Sequence, residues 1–316
     1  MAPPHAAHAR GRRVPSIIVH GGAGAAVADA DEFRPGMRAA VSAGWAVLAG
    51  GGRALDAVEA AVRSLEDDER FNAGRGAVLT EDGTVEMDAS IMEGDRLGCG
   101  AVGAVSRVAN PITLARRVLD DSRHVLLVAH GAHAFARAAG LPECDPASLI
   151  TERQRRRLAE RRAATPGNTP SRTPGGARSG TLPGTVGATA LDRHGTVAAA
   201  TSTGGMLGKR PGRVGDSALI GCGTYADSSL GGVSCTGDGE AIIRVVLARR
   251  ALEYLKEADD PDYAAKVSVD LLVEEGRGEG GLIVVDWRGR IGYAHSTPLM
   301  PVGWMTPTLG EPALPF

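Results

Sequence analysis

The 316-residue sequence has no apolar run near the roughly 18 residues needed to cross a membrane. Its first residues, Met1 to Pro15, hold Ala, Pro, His and Arg but no apolar core of a signal peptide. They are expected to form a disordered tail over 1–14. Cysteine is scarce. Cys99, Cys144, Cys222 and Cys235 stand apart, with no CxxC pair and no zinc-finger spacing. That argues against a disulfide framework and fits reduced thiols in a cytoplasmic protein. A basic excess is also missing: 35 Lys and Arg face 37 Asp and Glu, for a formal net charge of −2. No global field points to nucleic acid. Lysine occurs only at Lys209, Lys256 and Lys266, which with the Ala and Gly richness reads as coding bias.

What is present is punctuated by glycine. Ser16–His20 is a β-branched run that enters Gly21-Gly22-Ala23-Gly24 and reads as a buried strand meeting a tight turn. The lysine and hydroxyl of a phosphate loop are absent, so the glycines are expected to serve close packing. Residues 38–48 and 54–65 carry helical apolar spacing. The acidic stretch Leu65 to Gly76 matches no EF-hand and is expected as a solvated loop. Residues 77–92 read as a hairpin turning at Glu81-Asp82-Gly83. A strand at 100–106, a helix from Pro111, a strand at 124–128 and a helix at 132–139 follow. His124, His130 and His133 invite a metal, but no carboxylate stands at a zincin position.

Residues 145–183 break the pattern. Glu152 to Arg162 is charged and fits a helix, and 163–180 is rich in Pro, Gly, Ser, Thr and Arg. So long an unpatterned stretch inside an enzyme is unusual unless it is functional or cut. It ends at Gly184-Thr185, where strands over 185–191 and 195–201 begin. A threonine freed at such a joint would carry both a hydroxyl and an α-amine. The amine, with a pKa of about 7.7–8.0, can serve as base for its own hydroxyl. Further on come a strand near 219–223, helices over 241–254 and 263–274, and a closing hairpin of 281–286 with 291–295. The order lacks strict βαβ alternation, so an α+β layered sandwich is expected rather than a Rossmann sheet. Arg213 and Asp216, in a glycine-bounded loop, suit the carboxylate and ammonium of a zwitterion, or simply pair with each other. Thr236-Gly237 suits an oxyanion.

These motifs together resemble the plant-type asparaginase/isoaspartyl peptidase family of N-terminal-nucleophile hydrolases, from about Val14 to Asp286. The matching stretches are His20–Gly24, Phe71–Gly76, Met87–Ala89, Gly184–Ala188, Thr201–Gly205, Pro211–Asp216 and Ser234–Glu240. The resemblance implies an αββα four-layer sandwich and a precursor that cleaves itself between Gly184 and Thr185. One composite catalytic domain would then consist of an α portion over 15–184, with 145–184 as flexible linker, and a β portion over 185–316. It further implies Thr185 as nucleophile beside Thr203, and an oxyanion hole from Thr236 and Gly237. Arg213, Asp216, Gly239 and Asn72 would bind substrate. Backbone carbonyls of Leu65, Glu66, Asp68, Phe71, Ala73 and Arg75 would hold a structural Na+, and no organic cofactor is implied. The substrate would be L-asparagine or a β-aspartyl dipeptide, and the mature form a dimer of αβ units. The segment Ala294–Met300 departs from the family's pattern, as do His130 and His133, which stand where acidic residues are common.

Three other readings stand beside this one. A related threonine hydrolase would act on glycosylated asparagine or protein targets. An amino-acid-binding protein would never mature. A metal hydrolase would use the histidines and lose activity to EDTA.

Overall fold

The computed structural model describes residues 13–27, 29–164 and 184–316. The α-helices and strands run, in chain order, β1 (Ser16–His20), α1 (Arg34–Ala49), α2 (Ala54–Glu66), β2 (Met87–Glu93), β3 (Cys99–Val105), α3 (Pro111–Asp121), β4 (Leu126–Val128), α4 (Ala129–Ala138) and α5 (Glu152–Ala164). Beyond residue 183 come β5 (Val186–Leu191), β6 (Val197–Thr203), β7 (Thr224–Asp227), β8 (Gly231–Gly237), α6 (Gly239–Val245), α7 (Leu247–Ala258), α8 (Pro261–Glu274), β9 (Gly280–Asp286), β10 (Ile291–His295) and β11 (Val302–Met305).

The strands make two sheets. One has the order β11-β1-β5-β6-β2-β3-β4, and the other β10-β9-β8-β7. Pairing is antiparallel throughout except between β3 and β4. Helices α1, α2 and α3 pack on the larger sheet, and α7 and α8 on the smaller. Strands β1, β5 and β6 also touch β8 or β9, so the sheets face each other. β1, β5 and β6 are therefore buried along their whole length. That explains why they read as unbroken apolar or small-residue runs rather than alternating ones. One apolar cluster joins the larger sheet to its helices and another joins the smaller sheet to its own. A third, holding Ile18, Leu191, Val197, Ala199, Ile283 and Val285, lies between the sheets. Each fully buried Ile, Leu or Val contributes roughly 1.5–3 kcal/mol.

Several expectations are corrected. The hairpin over 77–92 reduces to a bridge between Leu79 and Val85, and β2 pairs instead with β3 and β6. The strand near 219–223 lies at β7, and the earlier residues form a turn. The helix over 241–254 is broken at Val246, whose φ of 53° ends α6 and starts α7. Residues 146–164 of the expected linker are folded. A 3-10 turn at Pro146–Leu149 leads into α5, and Leu149, Gln154 and Leu158 are buried. Gln154 Nε2 donates to the Gly76 carbonyl at 2.8 Å, which ties α5 to the 71–76 turn. The rest of that linker, 165–183, and the tail through residue 12 lie outside the described residues. No described helix is long and apolar enough to cross a membrane.

Candidate active site

Gly184 and Thr185 lead directly into β5, whose partners are β1 and β6. The glycine turn after β1 approaches this joint from the side. A β-carbon on Gly22 (φ 105°) would fall 2.7 Å from the Gly184 carbonyl carbon, so only glycine lets the two backbones touch. Across the pair, Thr203 ends β6. The Thr185 hydroxyl donates to Thr203 Oγ1 at 3.1 Å, and Thr203 Oγ1 also accepts the Gly205 amide at 2.9 Å. Both threonines are nearly closed off from solvent.

Gly184, Thr185, Thr203, Gly205, Met206, Arg213, Asp216, Gly237 and Gly239 line one small cleft. Seven positions expected at the site thus meet there. The loop bearing Arg213 and Asp216 is set by Asp88 on β2. Asp88 accepts the Gly215 amide through Oδ2 and the Ala104 amide through Oδ1, each at 2.9 Å. Ala104 has φ 52°, in a stretch where the β2–β3 register shifts. The Met87-Asp88-Ala89 motif therefore serves the loop from behind.

Arg213 does not pair with Asp216. Its guanidinium forms a two-point contact with Glu240, at 3.2 Å through Nε and 3.0 Å through Nη2. Burial raises the Glu240 pKa, but the hydrogen bonds and charge of Arg213 outweigh it and hold the carboxyl below its usual range. Asp216 is left with a buried, unpartnered Oδ2. Burial pushes its pKa up to about 7, against the opposing charge of Arg213. A carboxyl so placed lacks a cationic partner.

Two expected site residues stand behind the cleft. Thr236 is fully buried, and its Oγ1 accepts the Ala23 amide at 3.0 Å. Its own O–H proton is not used in that bond. Asn72, expected to bind substrate, is absent from the cleft wall. Its Nδ2 donates to the Gly205 carbonyl at 2.8 Å and its Oδ1 accepts the Val78 amide at 2.9 Å. The amide thus ties the turn after Thr203 to the backbone at Val78.

The Leu65–Arg75 stretch curls into a tight turn rather than a solvated loop. Most of its residues are buried, and Asp68 forms a close ion pair with Arg70. The carbonyls of Glu66 and Phe71 crowd the positions that β-carbons on Gly74 and Gly76 would take. Such a cradle of backbone oxygens suits a hard cation of low charge. The Glu66 carboxyl points elsewhere. It accepts from Ser202 Oγ at 2.6 Å and from the Ile112 amide at 3.0 Å, and burial raises its pKa to about 8. Among the described residues no group of three or more His, Cys, Asp or Glu side chains could hold a metal ion. His133 Nε2 instead accepts the Ser106 amide at 3.0 Å.

His20, Asp88, Ser234 and Glu240 carry no separate signal in the sequence, although all four stand inside the matching motifs. Their placement against the site depends on strand pairing and on the packing of one sheet against the other.

Comparison with known proteins agrees with this geometry. A family model described as asparaginase matches residues 13–309. The isoaspartyl peptidase/L-asparaginase of Xenopus laevis is 47% identical over 276 residues, covering 87% of each chain. The human protein of the same name is 46% identical over 277 residues, covering 87% of this chain and 88% of its own. The plant-type L-asparaginase of Pyrococcus abyssi is 43% identical over 302 residues, covering 94% and 98%. With a family model spanning nearly the whole sequence and relatives this similar over most of their length, the chain belongs to the asparaginase family.

Proposed function

We propose that the chain is a self-cleaving threonine hydrolase. It hydrolyses L-asparagine to aspartate and ammonia and removes β-aspartyl residues from the N-terminus of dipeptides. The observation that carries this reading is the Thr185 hydroxyl, 3.1 Å from Thr203 Oγ1 and next to Gly184, in a cleft shared with Arg213 and Asp216. The names of the relatives, isoaspartyl peptidase/L-asparaginase and plant-type L-asparaginase, support both substrates.

In the precursor, Thr185 Oγ adds to the Gly184 carbonyl carbon and the Thr185 nitrogen leaves. The resulting ester takes up water, releasing a Gly184 carboxylate and a free Thr185 amine. That amine then accepts the proton of the Thr185 hydroxyl as the oxygen attacks the side-chain carbonyl of the substrate. The Thr236 hydroxyl and the Gly237 amide donate to the oxyanion. Ammonia or an amino acid leaves with a proton. Water then opens the β-aspartyl ester, and the hydroxyl is restored. Arg213, sharing its guanidinium with Glu240, receives the substrate α-carboxylate. Asp216 receives the α-ammonium, which supplies the carboxyl with a cationic partner, and Gly239 leaves room beside Oδ1. Asn72 shapes the turn beside Thr203.

The two facing sheets with helices on their outer sides support the αββα sandwich. The Leu65, Glu66, Asp68, Phe71, Ala73 and Arg75 carbonyls are the proposed Na+ ligands. The ion would fix the turn and take no part in bond making. Residues 15–184 and 185–316 become the α and β chains of one catalytic domain, and two such αβ units form the dimer.

Intact mass and N-terminal sequencing after incubation at neutral pH test the reading. A fragment beginning Thr-Val-Gly-Ala is expected, followed by release of aspartate from asparagine and from β-aspartyl dipeptides. Thr185→Ala is expected to remain one uncut, inactive chain. A stable uncut wild-type chain that binds amino acids without turnover would overturn the proposal.

A further inference from the structure

A continuous line of buried polar side chains runs through the interface between the two sheets. His20 Nε2 lies 2.8 Å from Ser234 Oγ, and Ser234 Oγ lies 2.7 Å from Thr201 Oγ1. Thr201 and Thr224 are 2.5 Å apart, Thr224 and Ser90 2.8 Å, and Ser90 Oγ reaches the Ser217 carbonyl at 2.7 Å. A longer branch of 3.2 Å joins Thr201 to the Gly223 carbonyl. His20, Ser90, Thr201, Thr224 and Ser234 are all fully buried. One end of the line is next to the joint, because the backbone of Thr185 faces the His20 ring and His20 pairs with Gly187. The other end, Ser217, is the neighbour of Asp216 in sequence. Gly187 makes the first link possible. A β-carbon there would lie 2.5 Å from His20 Nε2 and would overlap Ser234 Oγ.

Each hydroxyl owns one proton and can also accept. Thr224 Oγ1 donates to Thr201 Oγ1, Ser90 Oγ donates to Thr224 Oγ1 or to the Ser217 carbonyl, and Thr201 reaches both Ser234 and the Gly223 carbonyl. The line is therefore anchored on backbone carbonyls at Ser217 and Gly223 and ends on the His20 ring through Ser234.

We propose that this hydroxyl line, Ser234–Thr201–Thr224–Ser90, is a positioning device that holds the His20 ring against the Thr185 backbone and gauges Thr185 and the Asp216 loop from one another across the two sheets. Its members touch no substrate. They act through the placement of Thr185, and the inference rests on the threonine-hydrolase reading above.

Thr201→Val cuts the line at its centre while keeping the side-chain shape, and Thr201→Ser restores the oxygen. Self-cleavage rate and, in matured protein, kcat for asparagine are expected to fall on the order of tenfold or more in Thr201→Val. KM should change by less than about threefold, and Thr201→Ser should recover most of the loss. Ser234→Ala takes the place of Thr201→Val under the same criteria if the valine variant does not fold. Wild-type rates in Thr201→Val or an equal loss in Thr201→Ser overturns the inference alone. A wild-type chain that neither cleaves itself nor hydrolyses either substrate overturns the functional reading, and this inference with it.

Discussion

Two polar groupings lie close together and are built on opposite principles. At the cleft, Arg213 and Asp216 are ionisable groups in the wall, Glu240 pairs with Arg213, and Asp216 Oδ2 has no partner. Between the sheets, His20, Ser234, Thr201, Thr224 and Ser90 are neutral and hydrogen-bond one another. The difference follows from who completes each set. A buried charge without a partner is costly, so it is kept where an incoming ligand supplies the opposite charge. Where no ligand reaches, hydroxyls that satisfy one another avoid that cost. On the proposed function, the cleft is tuned for binding at the expense of the free protein, and the hydroxyl line for position.

The strongest way to break this contrast is Asp216→Asn. It should lower kcat/KM roughly 10²–10³-fold, since the substrate ammonium loses its charged partner. The same change should stabilise the free protein at pH 8 by about 1 kcal/mol or more, read by denaturant unfolding. The sign follows from the raised pKa of about 7 in the fold against an ordinary value of 3.8. The folded protein holds this proton more tightly, so its contribution to stability is lost as pH rises through 7. For the same reason the acid limb of kcat/KM near 7 should carry a second proton beside that of the Thr185 amine and become less steep in Asp216→Asn, and an unchanged limb would count against the clamp.

Gly187→Ala attacks the interior set. A methyl group between His20 and Ser234 should destabilise the fold by about 1–3 kcal/mol and slow self-cleavage, where the cleft variant should not destabilise it. Thermal melting together with cleavage kinetics separates the two.

Acid sharpens the contrast next. Burial lowers the His20 pKa to about 3, with the Thr185 backbone opposing, against an ordinary 6.5. The unfolded chain takes up the proton first, so stability is full above 6.5 and is lost as pH falls toward 3. The loss attributable to His20 at pH 5 should be about 2 kcal/mol, and it should be absent in His20→Gln. The smallest effect is expected for Glu240→Gln. Arg213 keeps a neutral hydrogen-bond partner, and KM should rise only about threefold, or roughly 0.6 kcal/mol.

How far the sequence carried the reading depends on the range of the interactions. β1, β5, β6 and the β9–β10 hairpin were visible because each is a short apolar run bounded by turn residues. α1, α2 and α8 were visible from their spacing. β11 was not foreseen, being a short edge strand with no periodicity, held by Ile17–Met305 register pairing with β1. The break at Val246 opposes the local preference of a β-branched residue, and nothing nearby in sequence announces it. The folding of α5 was half hidden by its charge, since Gln154 and Leu158 alone turn inward.

Within the site, the residue types at Gly184-Thr185, Arg213, Asp216 and Gly237 were enough to name the cleft, because motif glycines and a joint after unpatterned chain are local signals. The sequence by itself determined the membership of the family and which residue types stand at the cleft. Only the tertiary structure decided that Arg213 pairs with Glu240 rather than Asp216, that Asn72 faces backbone rather than cleft, and that His20 reaches Ser234 through the gap at Gly187. Those outcomes rest on contacts between residues 27 to 214 positions apart. Spacing along one strand or helix cannot encode them, because they exist only once the two sheets have closed on each other.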